Sequence, residues 1–423
     1  MRRSILFILV LWVVLPGYSQ AYDIAISLEE AEHLALTRNR DIRFARHNIE
    51  AAAASPNPTL LVSTSHFNPK SKPTTLFKST PAEDVIRIDK IFERGNKREL
   101  RMARADSELI ATRLDLDDAL RQIRFNVRSA WFELKLAERH VELGGIIANQ
   151  SERILELARR RYRAGDLSGA DLGRFKADAA RTQAGMRTAK TALTRARTAL
   201  AILLADEGHA LQLATRGNWP VAVAGLPDAD IINTAISQRP DTLAATARVE
   251  AARRNLNLAH AKRTRDITVS VQYERQPADV MQPRNSIGLG ISVPLFLGNY
   301  FEGDIRRAHA ELALAEDQLE AIRARIQAEI NQLADELQHT IDRWQSLQEQ
   351  ALPAARRTAS AAELAFSKGA ISALEFLDAQ RILRAAELDA LQARSDLAKA
   401  RAALDAALEI TPIAPPREQE PVS

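Results

Sequence analysis

Arg163-Ala-Gly-Asp-Leu-Ser168 is the one short punctuation in a long proline-free stretch, Asn96–Leu204, and that stretch decides the fold. No proline occurs between Pro81 and Pro220. The run before the punctuation, about 67 residues from Asn96, is long enough for a helix on the order of 100 Å. That is several times the mean helix of a globular domain. The run after it carries apolar residues at Leu172, Phe175, Ala179, Met186, Ala189, Leu193, Ala196, Leu200 and Leu203, spaced mostly by 3 and 4, with Thr182 the one polar member. A 3.5-residue period specifies a left-handed coiled coil. Most seam positions are Ala or Leu, so neighbouring helices can approach closely. The stretch predicts a rigid antiparallel helical hairpin.

Working outward, the chain repeats itself. Ala35-Leu-Thr-Arg-Asn-Arg-Asp41 parallels Ala235-Ile-Ser-Gln-Arg-Pro-Asp241, and Ile49-Glu-Ala-Ala52 parallels Val249-Glu-Ala-Ala252, both at an offset of 200. Phe92 through Gly95-Asn96 parallels Leu295 through Gly298-Asn299 at 203, and Tyr162-Arg-Ala-Gly165 parallels Phe366-Ser-Lys-Gly369 at 204. At that last offset the heptad seam returns as Phe376, Ala379, Leu383, Ala386, Ala390, Ala393, Leu397, Ala400, Leu404 and Ala407. A near-constant offset through helices, strands and turns signals internal duplication. The expected organisation is a first repeat over 22–228, with strands at about 59–67 and 84–92, a helical hairpin at about 96–205 and a linker at 206–228. A second repeat over 229–411 has strands at about 266–274 and 286–296 and a hairpin at about 302–410.

The ends and totals narrow the class. Residues 1–21 have the three parts of a secretory signal: Arg2-Arg3, the apolar Ile5–Leu15, and the small-x-small site Ser19-Gln20-Ala21. Ser27-Leu-Glu-Glu30 is a capping box that starts a helix expected to reach about Ala54, before Pro56 and Pro58. Pro412–Ser423, rich in Pro and charge, reads as a disordered tail. The formal charge of +4 falls to about +2 without Arg2 and Arg3, too balanced for a nucleic-acid binder. Aromatics are 5%, low for a compact core and natural for an Ala/Leu/Arg-rich coiled coil. With no cysteine there are no disulfides and no thiolate metal sites. The eight histidines show no metal-ligand spacing on a helix, and no P-loop, nucleophile elbow or dinucleotide loop occurs. Neither a catalytic residue, a cofactor nor a resident metal is expected, and the chain reads as non-enzymatic.

The strands point to a membrane. Ile267, Val269, Val271 and Tyr273 alternate with Thr268, Ser270, Gln272 and Glu274; Ile287, Leu289, Ile291, Val293 and Leu295 alternate with Ser286, Gly288, Gly290 and Ser292. Period 2 over this length fits a membrane-spanning strand, apolar outward and polar inward. In the first repeat the pattern is weaker, with Ile86 and Ile88 alternating with Arg87 and Asp89. Four strands cannot close a barrel, and an open edge in lipid leaves backbone groups unpaired. Identical copies must therefore complete the wall; three would give twelve strands.

These residues resemble the TolC-like outer-membrane factors of bacterial efflux and secretion systems. The carriers are the duplicated halves, the strand ending Ser292-Val-Pro-Leu-Phe-Leu-Gly-Asn299, and the turns at Gly165 and Gly369. Phe92-Glu-Arg-Gly-Asn-Lys-Arg98 with Arg101 looks like the Gly-Lys-Arg segment of the heavy-metal, CzcC-type branch. The resemblance implies a mainly α fold with a small transmembrane β part: a homotrimer with a twelve-stranded β-barrel in outer-membrane lipid and a periplasmic α-barrel. It implies a periplasmic adaptor and an inner-membrane resistance-nodulation-division pump as partners. The favoured cargo is heavy-metal cations. The alternatives are a duct for multidrug efflux or type I secretion and, from another class, a soluble periplasmic coiled-coil adaptor.

Residue by residue, the resemblance places Glu375 and Asp378 at the acidic constriction of the periplasmic aperture. Their first-repeat equivalents are Asp171 and Arg174, which makes Arg174 a candidate lock. The turns Gly165, Asp166, Leu167, Ser168 and Gly369, Ala370, Ile371, Ser372 are the candidate docking points for the adaptor. Pro353, inside the second long helix, and Gly144-Gly145 near its equivalent are candidate bends.

Overall fold

The computed structural model describes residues 24–38, 59–65, 83–220, 227–275 and 285–409. The leader, the helix end near Ala54, the loop Asn68–Pro81 and the tail from Pro412 lie outside the described residues. In chain order come β1 (Ile24–Ile26), α1 (Leu28–Arg38), β2 (Thr59–Ser65), β3 (Glu83–Phe92), α2 (Lys97–Arg163) and α3 (Gly169–Leu204). A 3-10 turn (Glu207–Gln212), β4 (Leu213–Thr215), α4 (Ala229–Gln238), α5 (Pro240–Ala261), β5 (Ile267–Arg275) and β6 (Asn285–Ser292) follow. Last come α6 (Glu302–Ser346), a π turn (Leu347–Ala351), α7 (Leu352–Ser367) and α8 (Ala373–Leu408).

The chain divides into two compact units, each drawing on both sequence repeats. One gathers the described residues within Met1–Ala35, Val127–Pro220 and Leu347–Ser395; the other gathers those within Leu36–Asn126, Val221–Ser346 and Asp396–Ser423.

In the first unit, the α3 seam buries Leu172, Phe175, Ala179, Ala196 and Leu200, with Met186, Ala189 and Leu193 half-buried between them. α2 runs unbroken for 67 residues, through Gly144-Gly145. The backbone changes instead before Pro353. Proline donates no hydrogen bond and its ring clashes with the carbonyl four residues back, here Glu349, and the chain widens into the π turn over Leu347–Ala351. The described first part of the linker, 206–220, is also more regular than its glycines suggest. β4 pairs in parallel with β1, Ile24 opposite Leu213. Trp131 of α2 donates from Nε1 to the Ile26 carbonyl at 3.1 Å, and Lys135 donates to Gly217 O with its ammonium 4.8 Å from the Trp131 ring centre. Three-residue strands carry no legible alternation, so this pair was invisible in the sequence.

In the second unit, β2, β3, β5 and β6 form one antiparallel sheet in that order. The register puts Leu60 beside Ile88 and Val62 beside Ile86. It sets Ile86 against Tyr273 and Ile88 against Val271, then Val271 against Leu289 and Val269 against Ile291. One face is thus apolar across all four strands. The other carries Arg87, Asp89, Ser270, Gln272, Gly288 and Gly290. The face is tight at the glycines: a Cβ on Gly288 would stand 2.9 Å from the Gln272 side chain, and one on Gly290 would stand 2.6 Å from Ser270 Oγ, so either would make its neighbour shift. A second core of this unit packs Ala235, Ile326, Ile330, Leu337, Leu397, Leu404 and Ala407. Beside it Arg239, 2% exposed, is held by Asp241 at 2.7 Å and Glu329 at 3.1 Å.

Candidate functional site

The sheet's apolar face is exposed. Leu289 is 82% accessible, Ile287 and Ile291 77% each, and Leu60 66%. On a water-soluble sheet this face would be covered, because burying each such side chain contributes about 1.5–3 kcal/mol. Among the described residues β2 and β6 each pair on one side only, so the described sheet ends in two open ladders. Among the described residues no helix is long and apolar enough to cross a membrane.

The strand-to-helix corner below β3 is clasped by charge. Lys97, 7% exposed, donates to Thr264 O at 2.7 Å and Asp266 Oδ1 at 2.8 Å, while the Arg94 amide also reaches Asp266 at 3.0 Å. Burial alone would raise the Asp266 carboxyl, but these donors outweigh it and hold it below its ordinary value. Arg101 grips Glu93 with two bonds of 2.5 and 2.6 Å, which depresses the Glu93 carboxyl in turn. Gly95 at φ +77° leaves no room for a Cβ, which would meet Thr264 at 2.9 Å. The Gly-Asn-Lys-Arg segment thus fastens the first long helix to the approach of β5.

The two helical turns have the same backbone. Asp166 N–H bonds Arg161 O at 2.9 Å and Gly165 N–H bonds Tyr162 O at 3.1 Å; Ala370 N–H bonds Ala365 O at 2.8 Å and Gly369 N–H bonds Phe366 O at 3.1 Å. Both are Schellman ends, with Gly165 at φ +86° and Gly369 at φ +73°. Ser168 and Ser372 then cap the next helices, accepting from Asp171 N–H at 3.0 Å and Glu375 N–H at 3.2 Å. Leu167 and Ile371 turn inward against a cluster of Leu155, Leu172, Phe175, Phe366, Phe376 and Leu377. Phe366 stacks on Phe376 at 4.7 Å. Of the expected docking residues, Gly165, Asp166, Ser168, Gly369, Ala370 and Ser372 are exposed, the two serines also serving as caps, while Leu167 and Ile371 are half-buried against the core.

The candidate aperture residues separate by environment. Glu375 and Asp378 are exposed, on the side of α8 opposite the buried Phe376 and Leu377. The Glu375 carboxylate accepts from Ser372 N–H at 2.8 Å, and this backbone bond holds its carboxyl below the ordinary value. Arg174 donates to Asp171 at 2.7 Å, and Ser168 Oγ donates to the same carboxylate at 2.7 Å. The structure therefore brings Arg174 to Asp171 on its own helix rather than to Glu375 or Asp378.

One polar cluster was missed in the sequence. Asp178 of α3, 5% exposed, receives Arg384 of α8 at 2.9 and 3.0 Å, and Ser151 of α2 joins both, at 3.2 Å to Asp178 and 2.9 Å to Arg384. A charged residue one place off the heptad seam looks solvated by its spacing, and nothing local announces a partner 206 residues away.

The outer membrane efflux protein family model matches residues 231–408. The chain is 24% identical over 365 residues to the cobalt-zinc-cadmium resistance protein CzcC of Cupriavidus metallidurans, covering 85% of this chain and 84% of that protein. It is 25% identical to the pyoverdine export outer membrane protein OpmQ of Pseudomonas aeruginosa, covering 63% of this chain and 57% of that protein. In fold it is similar to a membrane protein from Pseudomonas aeruginosa, with a TM-score of 0.78 at 17% identity over 92% of this chain and 95% of that one.

Proposed function

We propose, from the premise that the chain belongs to the outer membrane efflux protein family, that it is the exit duct of a tripartite efflux system. It works as a homotrimer in the outer membrane. The observation that carries this reading is the sheet: one exposed apolar face and two open edges. Lipid satisfies the face, and only further copies satisfy the edges. Three copies close twelve strands with the polar face inward. An adaptor's helical hairpin docks at Gly165–Ser168 and Gly369–Ser372, and an inner-membrane pump of the resistance-nodulation-division type drives transport.

In that trimer Glu375 and Asp378 form two rings of three carboxylates at the periplasmic entrance, where charge of one sign concentrates cations. The equivalent Asp171–Arg174 pair is self-neutralised. Heavy-metal cations are the cargo, supported by the similarity to a cobalt-zinc-cadmium resistance protein over most of both chains. A duct for organic export is the second reading, favoured by the shorter match to a pyoverdine exporter.

The test is direct. The chain should fractionate with the outer membrane and run as a heat-modifiable trimer; release by osmotic shock would point instead to a soluble adaptor. Deleting the gene should lower tolerance to cobalt, zinc or cadmium, and a loss confined to organic compounds would favour the second reading. In planar bilayers the Glu375→Gln, Asp378→Asn double variant should raise conductance and weaken cation block. Unchanged currents would discard the aperture assignment.

A further inference from the structure

His260 and His309 stand on α5 and α6, within one compact unit, with ring centres 6.0 Å apart and planes at 87°. Both are exposed. Among the described residues neither imidazole has a hydrogen-bond or ion-pair partner. Their separation is fixed from beneath. Ala259, next to His260, and Ala308, next to His309, are buried with Ile305 in a small apolar seam. Alanines at the crossing bring the two helices close. Contacts on either side set the register: Asn255 donates to Glu311 at 2.7 Å, and Lys262 pairs with Asp304 at 3.0 Å.

Neutral imidazole is the commonest protein ligand for transition metals. With metal–nitrogen bonds of roughly 2.0–2.1 Å, two rings sharing one ion have centres about 6.4 Å apart when they lie trans across it and about 5.2 Å apart at the tetrahedral angle. The observed 6.0 Å falls between these two spacings, and rotation about χ1 and χ2 of the two exposed side chains brings the nitrogens to either. We propose that His260 and His309 form a two-imidazole site for a divalent transition-metal ion of the zinc, nickel and copper class.

Water completes the coordination shell, because among the described residues no group of three or more His, Asp or Glu side chains is placed to hold a metal. Arg306, about one helical turn before His309, adds a positive charge nearby and keeps the affinity modest. A weak site takes up an ion and lets it go. The site itself does not rest on the cargo reading: the rings chelate or fail to chelate whatever the duct carries.

The test uses the full-length, tag-free chain in detergent with the metals alone. Substoichiometric Cu²⁺ should give an electron paramagnetic resonance spectrum with coupling to two imidazole nitrogens, and calorimetry with Ni²⁺ should give one ion per chain. His260→Gln and His309→Gln should each weaken binding at least about tenfold, the scale on which supporting contacts of metal sites act. The double variant should lose the two-nitrogen signal while keeping the wild-type gel migration. A double variant with the wild-type spectrum and isotherm, or single variants that bind as the wild type does, would overturn the proposal.

Discussion

The two helical turns share a backbone and differ in nearly everything attached to it. At each, a Schellman end with a positive-φ glycine passes to a serine cap, displaced by 204 residues. Yet Phe366 is 6% exposed in the aromatic cluster, while its counterpart Tyr162 is 47% exposed. Asp178 is buried against Arg384, while its counterpart Ile382 is 50% exposed. Asp171 is neutralised by Arg174, while Glu375 is followed by Asp378, a second acid, at the place of the arginine. Duplication preserved what the backbone must do to reverse direction. It did not preserve burial or charge, because two copies packed together in one chain meet different neighbours.

The sharpest way to break this comparison is at the aromatic cluster. Phe366→Ala should destabilise the chain by about 3–5 kcal/mol, the usual cost of emptying a buried aromatic site, whereas Tyr162→Ala should cost about 0.5 kcal/mol or less. Matched denaturation curves measure both, and equal shifts would mean the turns are equivalent after all.

Arg384→Ala comes next. Losing one partner of a buried pair strands the other charge, here Asp178, at about 3–5 kcal/mol; the double change Asp178→Ala with Arg384→Ala should recover part of that. A double variant no better than the single would show that the pair's charge is not what matters.

A common cost is expected at the glycines. Nothing lies within 4 Å of a Cβ at Gly165 or Gly369, so alanine there meets only the left-handed backbone penalty, about 1–2 kcal/mol at each. Unequal melting shifts for the two variants would show that the shared backbone is not equally strained.

The smallest effects concern charge. Arg174→Ala removes an exposed pair and should change stability by about 0–1 kcal/mol. The depressed Glu375 carboxyl implies a pH response of definite sign. Its contribution is present above the unfolded-state carboxylate value and is lost as pH falls through the lower folded value. Amide exchange at Ser372 should therefore quicken in acid relative to Ser168, once intrinsic rates are divided out. Parallel protection at both serines down to that range would refute the bond from the Ser372 amide to Glu375.

Much of the fold was legible because it is periodic. The 3.5-residue seam of α3 and α8 and the alternation of β5 and β6 are local patterns; burial follows the helical seam almost position by position, while in the strands the apolar positions are the exposed ones. The Ser27–Glu30 box closes as its spacing requires, with bonds of 2.7 and 3.2 Å. The candidate site was legible only in part. Glu375 and Asp378 sit on the expected exposed face, but Glu375's hydrogen bond to its own cap, Arg174's choice of Asp171, and the inward turn of Leu167 and Ile371 depend on rotamers that spacing does not specify. The Gly-Asn-Lys-Arg segment carried a family likeness in the sequence; its clasp on Asp266 became visible only with β5 beside it.

The sequence alone determined the periods, the doubling and the shortage of strands. Those follow from chain geometry, since a helix or strand repeats every few residues wherever it lies. Tertiary structure decided which member of each duplicated pair is buried, which carboxylate meets which arginine, and that two histidines 49 residues apart share one spot on two helices. Such choices rest on contacts between distant segments. Their strength depends on how far solvent is excluded, and only the packed chain sets that.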